Sequence, residues 1–229
     1  MIFTCKAVLF DLDGVLVDSA RAVERVWRKW AHAHNLDPEY VIENAHGRRS
    51  VETLRVVAPE LEADQENLKV EQMEIDDKEG ISPVRGASEL LRSIPPERYT
   101  IVTSATQALA IARLQYAGLP APRRFITAND VVNGKPSPEP YLKGAALLGF
   151  DPQDCLVIED TPAGVEAGKA ATMQVIALNT TYPIEELKRA DAIVNSLADV
   201  TARLENGAMN ILVRQRKTLE PPIGANERE

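Results

Sequence analysis

Short apolar runs rich in β-branched residues punctuate the chain at residues 6–11 (KAVLFD), 99–103 (YTIVT), 124–127 (RFIT), 155–159 (CLVIE) and 174–178 (QVIAL), with a weaker one at 192–195 (AIVN). Each is continuously apolar rather than alternating, the pattern of strands buried on both faces of a parallel sheet. Between them lie helical periods at 106–117, 137–148, 162–171 and 196–204. Ser137-Pro138-Glu139 reads as an N-cap followed by proline at the first helical position. This alternation predicts an α/β fold, a doubly wound parallel sheet with a Rossmann-like core.

One region departs from the alternation. Residues 18–82 hold no convincing strand. Val23, Val26, Trp27 and Trp30 fall at helical spacing within 19–35, and 38–45, 50–57 and 60–79 read as three further helices. An inserted α-helical cap at 18–82 is expected, with the core in 1–17 and 83–207. Pro83 and Gly86 at its far end suit a hinge. Residues 208–229 show no pattern and are expected to form a frayed tail, with Pro221, Pro222 and Gly224 near its end.

Charge and composition narrow the partners. A net charge of −8 argues against nucleic acid, whose phosphates need basic surface. No apolar run is long enough for a membrane span, and no basic segment precedes an apolar one at the start, so a cytoplasmic protein is expected. Cys5 and Cys155 both sit in apolar runs and read as inert core thiols. No coiled-coil seam is visible, and a monomer is expected.

The first run of this acidic chain leads into Asp11-Leu12-Asp13-Gly14. Side chains at the carboxyl end of a parallel strand face the crevice where such sheets bind ligands. Two neighbouring carboxylates repel unless a cation or proton intervenes, and an all-oxygen site suits magnesium. The alternative is a turn whose aspartates bond only the backbone. Ser104-Ala105-Thr106 opens a helix, where a hydroxyl and free N–H groups hold phosphate oxygens or simply cap. Lys135, between Gly134 and Pro136, can neutralise a phosphate and an attacking carboxylate, or lie in solvent as most lysines do. Glu159-Asp160 is a second acidic pair at a strand end, fit to complete a metal site or to cap the next helix. Asp18 and Ser19 read as a helix cap.

The segments DLDGVLVDS, VTSAT, GKPSPEP and IEDTPAGVEAG, in this order, resemble the haloacid dehalogenase superfamily of phosphotransferases. VERVWRKWAHAH, HGRRSVETLR and ARLQYAGLP make the chain similar to its sugar and polyol phosphatase branch, with the cap in the first loop. The resemblance implies a phosphatase acting on a small phosphorylated metabolite through an aspartyl-phosphate. It implies Asp11 as nucleophile and Asp13 as general acid and base. Mg2+ is then held by Asp11, the Asp13 main-chain carbonyl and Asp160, with Glu159 adjacent and acting through water. Ser104, the Ala105 N–H and Lys135 hold the phosphate; Ala105 stands where many relatives carry glycine. His46, Gly47, Arg48 and Arg49 are candidate cap readers of the leaving group, or else a solvated basic loop. Glu24 and Trp27 are further candidates, although Trp27 and Trp30 at helical spacing suit the cap core. His32 and His34 read as surface residues.

Two rivals share this scaffold. A β-phosphoglucomutase-like phosphotransferase would carry a histidine five residues beyond the position of Asp18, where this chain has Val23. A non-catalytic binding protein would have no need of Asp11, Asp13, Ser104, Lys135 and Asp160 together.

Overall fold

The computed structural model describes residues 1–45 and 47–214. The chain starts as β1 (Ile2–Cys5) and continues past Lys6 into β2 (Ala7–Phe10). A short β3 (Val17–Asp18) leads into four helices, α1 (Ala20–Ala33), α2 (Pro38–Ala45), α3 (Ser50–Val57) and α4 (Ala63–Asp76). The return is β4 (Ser82–Pro83), antiparallel to β3 with Val17 opposite Pro83 and Asp18 opposite Ser82. Then follow α5 (Ala87–Ser93), β5 (Tyr99–Ile101), α6 (Gln107–Tyr116), α7 (Glu139–Leu148), β6 (Cys155–Glu159), α8 (Pro162–Ala170), β7 (Gln174–Leu178), β8 (Ala192–Val194), β9 (Val200–Glu205) and β10 (Ala208–Val213).

The central sheet is parallel, in the order β5-β2-β6-β7-β8. Its strands are continuously apolar because alternate residues feed two cores. Val8, Phe10, Leu156, Ile158 and Ile176 pack on one face, and Ala7, Leu9, Val157, Val175 and Ala177 on the other. Helix starts are set by hydroxyls: Thr161 Oγ1 accepts the Gly164 N–H at 3.0 Å, and Thr106 Oγ1 accepts that of Leu109 at 3.4 Å. At α7 the N-cap is Pro138, one residue later than Ser137, whose Oγ instead accepts the Glu139 N–H at 3.3 Å.

Helices α1–α4 enclose a core of their own, built on Val26, Trp27, Trp30, Val41, Leu54 and Val70. Trp27 and Trp30 meet edge to face with ring centroids 5.7 Å apart. The Trp30 indole N–H donates to Glu66 Oε2 at 3.0 Å, satisfying a donor that burial would otherwise leave unpaired. His32 is exposed; His34 lies against the Trp30 ring and 3.2 Å from Glu66.

Three expectations are corrected. The helix at 196–204 is a 3₁₀ turn at Leu197–Asp199 followed by β9. Leu197, Val200 and Leu204 happen to fit a helical spacing, but Val200 and Ala202 are buried on alternation. Residues 208–213 are not tail but β10, with Met209, Ile211 and Val213 inward. Asn206 and Gly207, both at positive φ, make the hairpin turn, and β10 then pairs with β1 to complete an antiparallel sheet β1-β10-β9. The remainder of the expected tail, 215–229, lies outside the described residues. The run 124–127 contributes only an isolated bridge between Ile126 and Val102. Helix α5, which the periodicity reading did not single out, is carried by buried Ala87, Leu90 and Leu91 at i, i+3, i+4 spacing. Among the described residues, no helix is long and apolar enough to cross a membrane.

Leu9 is fully buried and packs where a side chain at Gly144 would stand, 2.7 Å from its Cδ2. Leu9→Ala is expected to cost about 2–5 kcal/mol. Urea unfolding should show a lower midpoint with an unchanged slope.

Candidate active site

The carboxyl ends of adjacent parallel strands deliver the acidic residues to one place. Asp11 directly follows β2 and its N–H donates to the Ile158 carbonyl of β6 at 3.0 Å. Glu159 ends β6 and Asp160 follows it. Carboxylate oxygens of Asp11, Glu159 and Asp160 lie within 4.8 Å of one another. Lys135, 4% exposed, reaches in from the loop before α7. Its Nζ donates to Asp11 Oδ1 at 2.5 Å, Glu159 Oε1 at 2.6 Å and the Val102 carbonyl at 3.2 Å.

Glu159 is fully occupied by protein donors. Oε1 accepts from Lys135 and from the Tyr141 hydroxyl at 3.0 Å. Oε2 accepts the N–H groups of Asp160 and Thr161 at 2.8 and 2.9 Å, and the Thr161 hydroxyl at 3.0 Å. A Cβ at Gly164 would fall 1.7 Å from Oε1, so α8 approaches closely enough only without a side chain there. Burial opposes the charge on Glu159, but Lys135 and these N–H groups outweigh it and hold its pKa below the usual range.

Asp160 is different. Its Oδ2 accepts from the Thr181 hydroxyl, while Oδ1 is buried with no hydrogen-bond partner among the described residues. Burial, then the charges of Glu159 and Asp11, push its pKa well above the carboxylate range. Burial likewise pushes Asp11 up to about 7, against the pull of Lys135. Three carboxylates face one ammonium, so the cluster is short of positive charge. A divalent, oxygen-seeking cation answers both the orphaned oxygen and the charge deficit. Gly14 fits the same reading: with φ +78° it bends the chain past Asp160, and a Cβ there would stand 2.0 Å from Asp160 Oδ2.

Asp13 is held from two sides. The Ser19 hydroxyl donates to Oδ1 at 2.6 Å, and Arg113 Nη1 donates to Oδ2 at 2.6 Å. Ser19 stands at the N-cap of α1 without making a side-chain cap, so its expected capping role is replaced by this contact. Arg113 Nη2 continues to Glu74 Oε1 on α4, at 3.2 Å. Glu74 is buried and pushed up to about 7 by desolvation, despite Arg113.

A cavity lined by Asp11, Asp13, Ser104, Ala105, Lys135 and Asp160 opens toward α1 and the loop before α3. Gly47, Arg48, Val23 and Trp27 line that side. Not every candidate is free to serve it. The Ala105 N–H donates to Thr103 Oγ1 at 3.0 Å. Arg49 is outside the cavity wall; its guanidinium is bound by Glu52 and by the Val131 and Val132 carbonyls at 3.4 and 3.1 Å, tying the loop before α3 to the core. Glu24 and Asp18 are exposed and do not line the cavity. His46 lies outside the described residues. Ser104 lines the cavity and donates to the Gly47 carbonyl at 3.3 Å.

A family model for haloacid dehalogenase-like hydrolases matches residues 5–172. The chain belongs to this family. Among haloacid dehalogenase-like relatives, hexitol phosphatase A of Escherichia coli is 46% identical over 202 residues, covering 86% of this chain and 94% of that one. Glycerol-1-phosphate phosphohydrolase 2 of Saccharomyces cerevisiae is 38% identical over 206 residues, covering 83% and 82%. Among solved structures, a hydrolase from Pseudomonas syringae superposes with a TM-score of 0.77 at 27% identity, covering 85% and 95%.

Several residues of this haloacid dehalogenase-like site carry no sequence signal of their own. Arg113 sits among buried Leu109, Ala110, Ala112 and Leu114, and only a charge on an apolar helix face could have pointed to it. Glu74 is one acid among many on the charged helix α4. Thr181 and Tyr141 reach the acidic cluster only through tertiary packing.

Folded Glu74 keeps its proton to higher pH than the usual value of 4.5 for the unfolded chain. Stability should therefore fall as pH rises from about 4.5 to about 7, by on the order of 2–3 kcal/mol. Glu74→Gln should flatten this window in denaturant titrations run at a series of pH values.

Proposed function

We propose that the protein is a magnesium-dependent phosphatase that hydrolyses phosphate monoesters of small sugars and polyols, with the phosphoryl group carried transiently on Asp11. The observation that carries this reading is the buried Asp11–Lys135–Asp160 cluster with its unpartnered Asp160 oxygen. Membership of the haloacid dehalogenase-like hydrolases supports it, as do relatives named for hexitol and glycerol 1-phosphate.

Asp11 supplies the oxygen that attacks phosphorus. The bond from phosphorus to the leaving oxygen breaks, and Asp13 gives that oxygen its proton. Asp13 then takes a proton from water, whose oxygen attacks phosphorus and releases Asp11. Lys135 offsets the negative charge of Asp11 and of the phosphate, and Ser104 is placed to hold a phosphate oxygen. Arg113 and Ser19 fix the Asp13 carboxyl between them. The side chains of Asp11 and Asp160, with the Asp13 carbonyl, would hold Mg2+, which when bound neutralises the acidic cluster and draws charge from the phosphate. Glu159, with both oxygens occupied, anchors Lys135 rather than binding the cation directly.

Helices α1–α4 act as a cap that excludes water and meets the leaving group, with Arg48 and Trp27 on its side of the cavity. Val23 also lines the cavity, at the position where a mutase would need a histidine; a valine carries no proton, which favours hydrolysis over phosphoryl return. The two buried free thiols fit a reducing, cytoplasmic setting.

Phosphate release from hexitol phosphates and glycerol 1-phosphate should require Mg2+ and stop with chelator. Glucose 1-phosphate should yield free phosphate rather than an isomer. Asp11→Asn should lower kcat by about 10⁴-fold or more while the protein stays folded. Full turnover in that variant would remove the assigned nucleophile. Asp160→Asn should raise the Mg2+ concentration needed for half-maximal activity by about tenfold or more.

A further inference from the structure

We propose that Glu74 and Arg113 form the leaving-group subsite of the cleft, in which Glu74 accepts a hydrogen bond from a hydroxyl on the alcohol, at the carbon next to the ester carbon. The inference rests on the phosphatase reading and deepens it.

Glu74 belongs to cap helix α4 and Arg113 to core helix α6, and both line the cavity that contains Asp11 and Asp13. They are 5% and 6% exposed. One guanidinium bridges them: Nη1 holds Asp13 Oδ2 at 2.6 Å and Nη2 holds Glu74 Oε1 at 3.2 Å. Glu74 therefore stands one guanidinium width beyond the carboxyl that protonates the leaving oxygen. The carbon chain of the alcohol extends from that oxygen. Glu74 Oε2 accepts no hydrogen bond among the described residues. A carboxylate in a desolvated cleft favours a donor on each oxygen. Val23 and Leu109 line the same cavity and carry no donor. A ligand hydroxyl supplies one.

A plain latch between cap and core would explain the ion pair without a ligand. Helices α4 and α6 are already joined by Thr106 Oγ1 donating to Glu71 and by the Tyr116 hydroxyl donating to the Ile75 carbonyl at 2.9 Å. A third tie that is charged, buried and turned into the cleft adds what those two lack, a means of reading a hydroxyl. Arg113 holds Glu74 aimed into the cleft, so a chain with a hydroxyl at that carbon gains a hydrogen bond that a bare chain cannot make.

The test compares kcat/KM for glycerol 1-phosphate, 3-hydroxypropyl phosphate, which lacks the middle hydroxyl, and p-nitrophenyl phosphate. The wild-type protein should prefer glycerol 1-phosphate over its deoxy analogue by about tenfold or more. In Glu74→Met, similar in length but without an acceptor, that preference should shrink to within about threefold. Glu74→Gln, which keeps the shape and a neutral acceptor, should retain part of it; circular dichroism and thermal unfolding check that each variant is folded. An equal loss on all three substrates would make the pair a latch and overturn the inference. So would a wild-type protein that does not distinguish the glycerol ester from its deoxy analogue, a result that needs no variant. Release of phosphate from none of the three would instead defeat the phosphatase reading itself.

Discussion

The ammonium of Lys135 is the contact around which the site is organised. It is buried, and it is shared between Asp11 at the end of β2 and Glu159 at the end of β6. Burial of a lysine opposes its charge, yet the two carboxylates outweigh that cost and keep it protonated. The surrounding groups follow from this. Tyr141, Thr161 and two backbone N–H groups saturate Glu159, leaving Asp11 and Asp160 as the carboxylates of this cluster open to a cation. Without Lys135, three carboxylates would share one dry pocket. With it, the remaining deficit matches a single divalent cation.

A second chain of polar contacts joins the helical insertion to the sheet. Arg49 grips the Val131 and Val132 carbonyls, Ser104 donates to Gly47, Thr106 to Glu71, and Arg113 spans from Asp13 to Glu74. Most pair a group near the cleft with one from α4 or from the loop before α3. The insertion is attached covalently only through the narrow β3–β4 ribbon, so its seating over the cleft depends on these contacts. Because Arg113 is shared, the position of α4 and the orientation of Asp13 are mechanically linked.

Periodicity read the chain well where one local rule sufficed. Helices α2 and α3 fall on the ranges their spacing indicates, and the runs ending at Asp11 and Glu159 are strands because both faces are buried. It fails where two periods overlap, as at 197–204, and where the hairpin signal is as short as Asn206-Gly207. Arg49 illustrates the same limit in the site. Its sequence context beside Arg48 suggests two equivalent cations, but Glu52 one turn along α3 captures one of them and leaves the other at the cavity.

What the sequence by itself determined was the strand–helix alternation, the long helical insertion, and the acidic, hydroxyl and lysine residues at the loop positions that carry the family resemblance. These are local properties: a strand's burial pattern and the residues that follow it are contiguous in the chain. What only the tertiary structure decided was which oxygens are spoken for. That Glu159 is saturated while Asp160 Oδ1 has no partner, and that Arg113 and Glu74 meet beside Asp13, depends on segments dozens of residues apart. Hydrogen-bond saturation and desolvation are set by everything that packs around an atom, and no spacing along the chain encodes them.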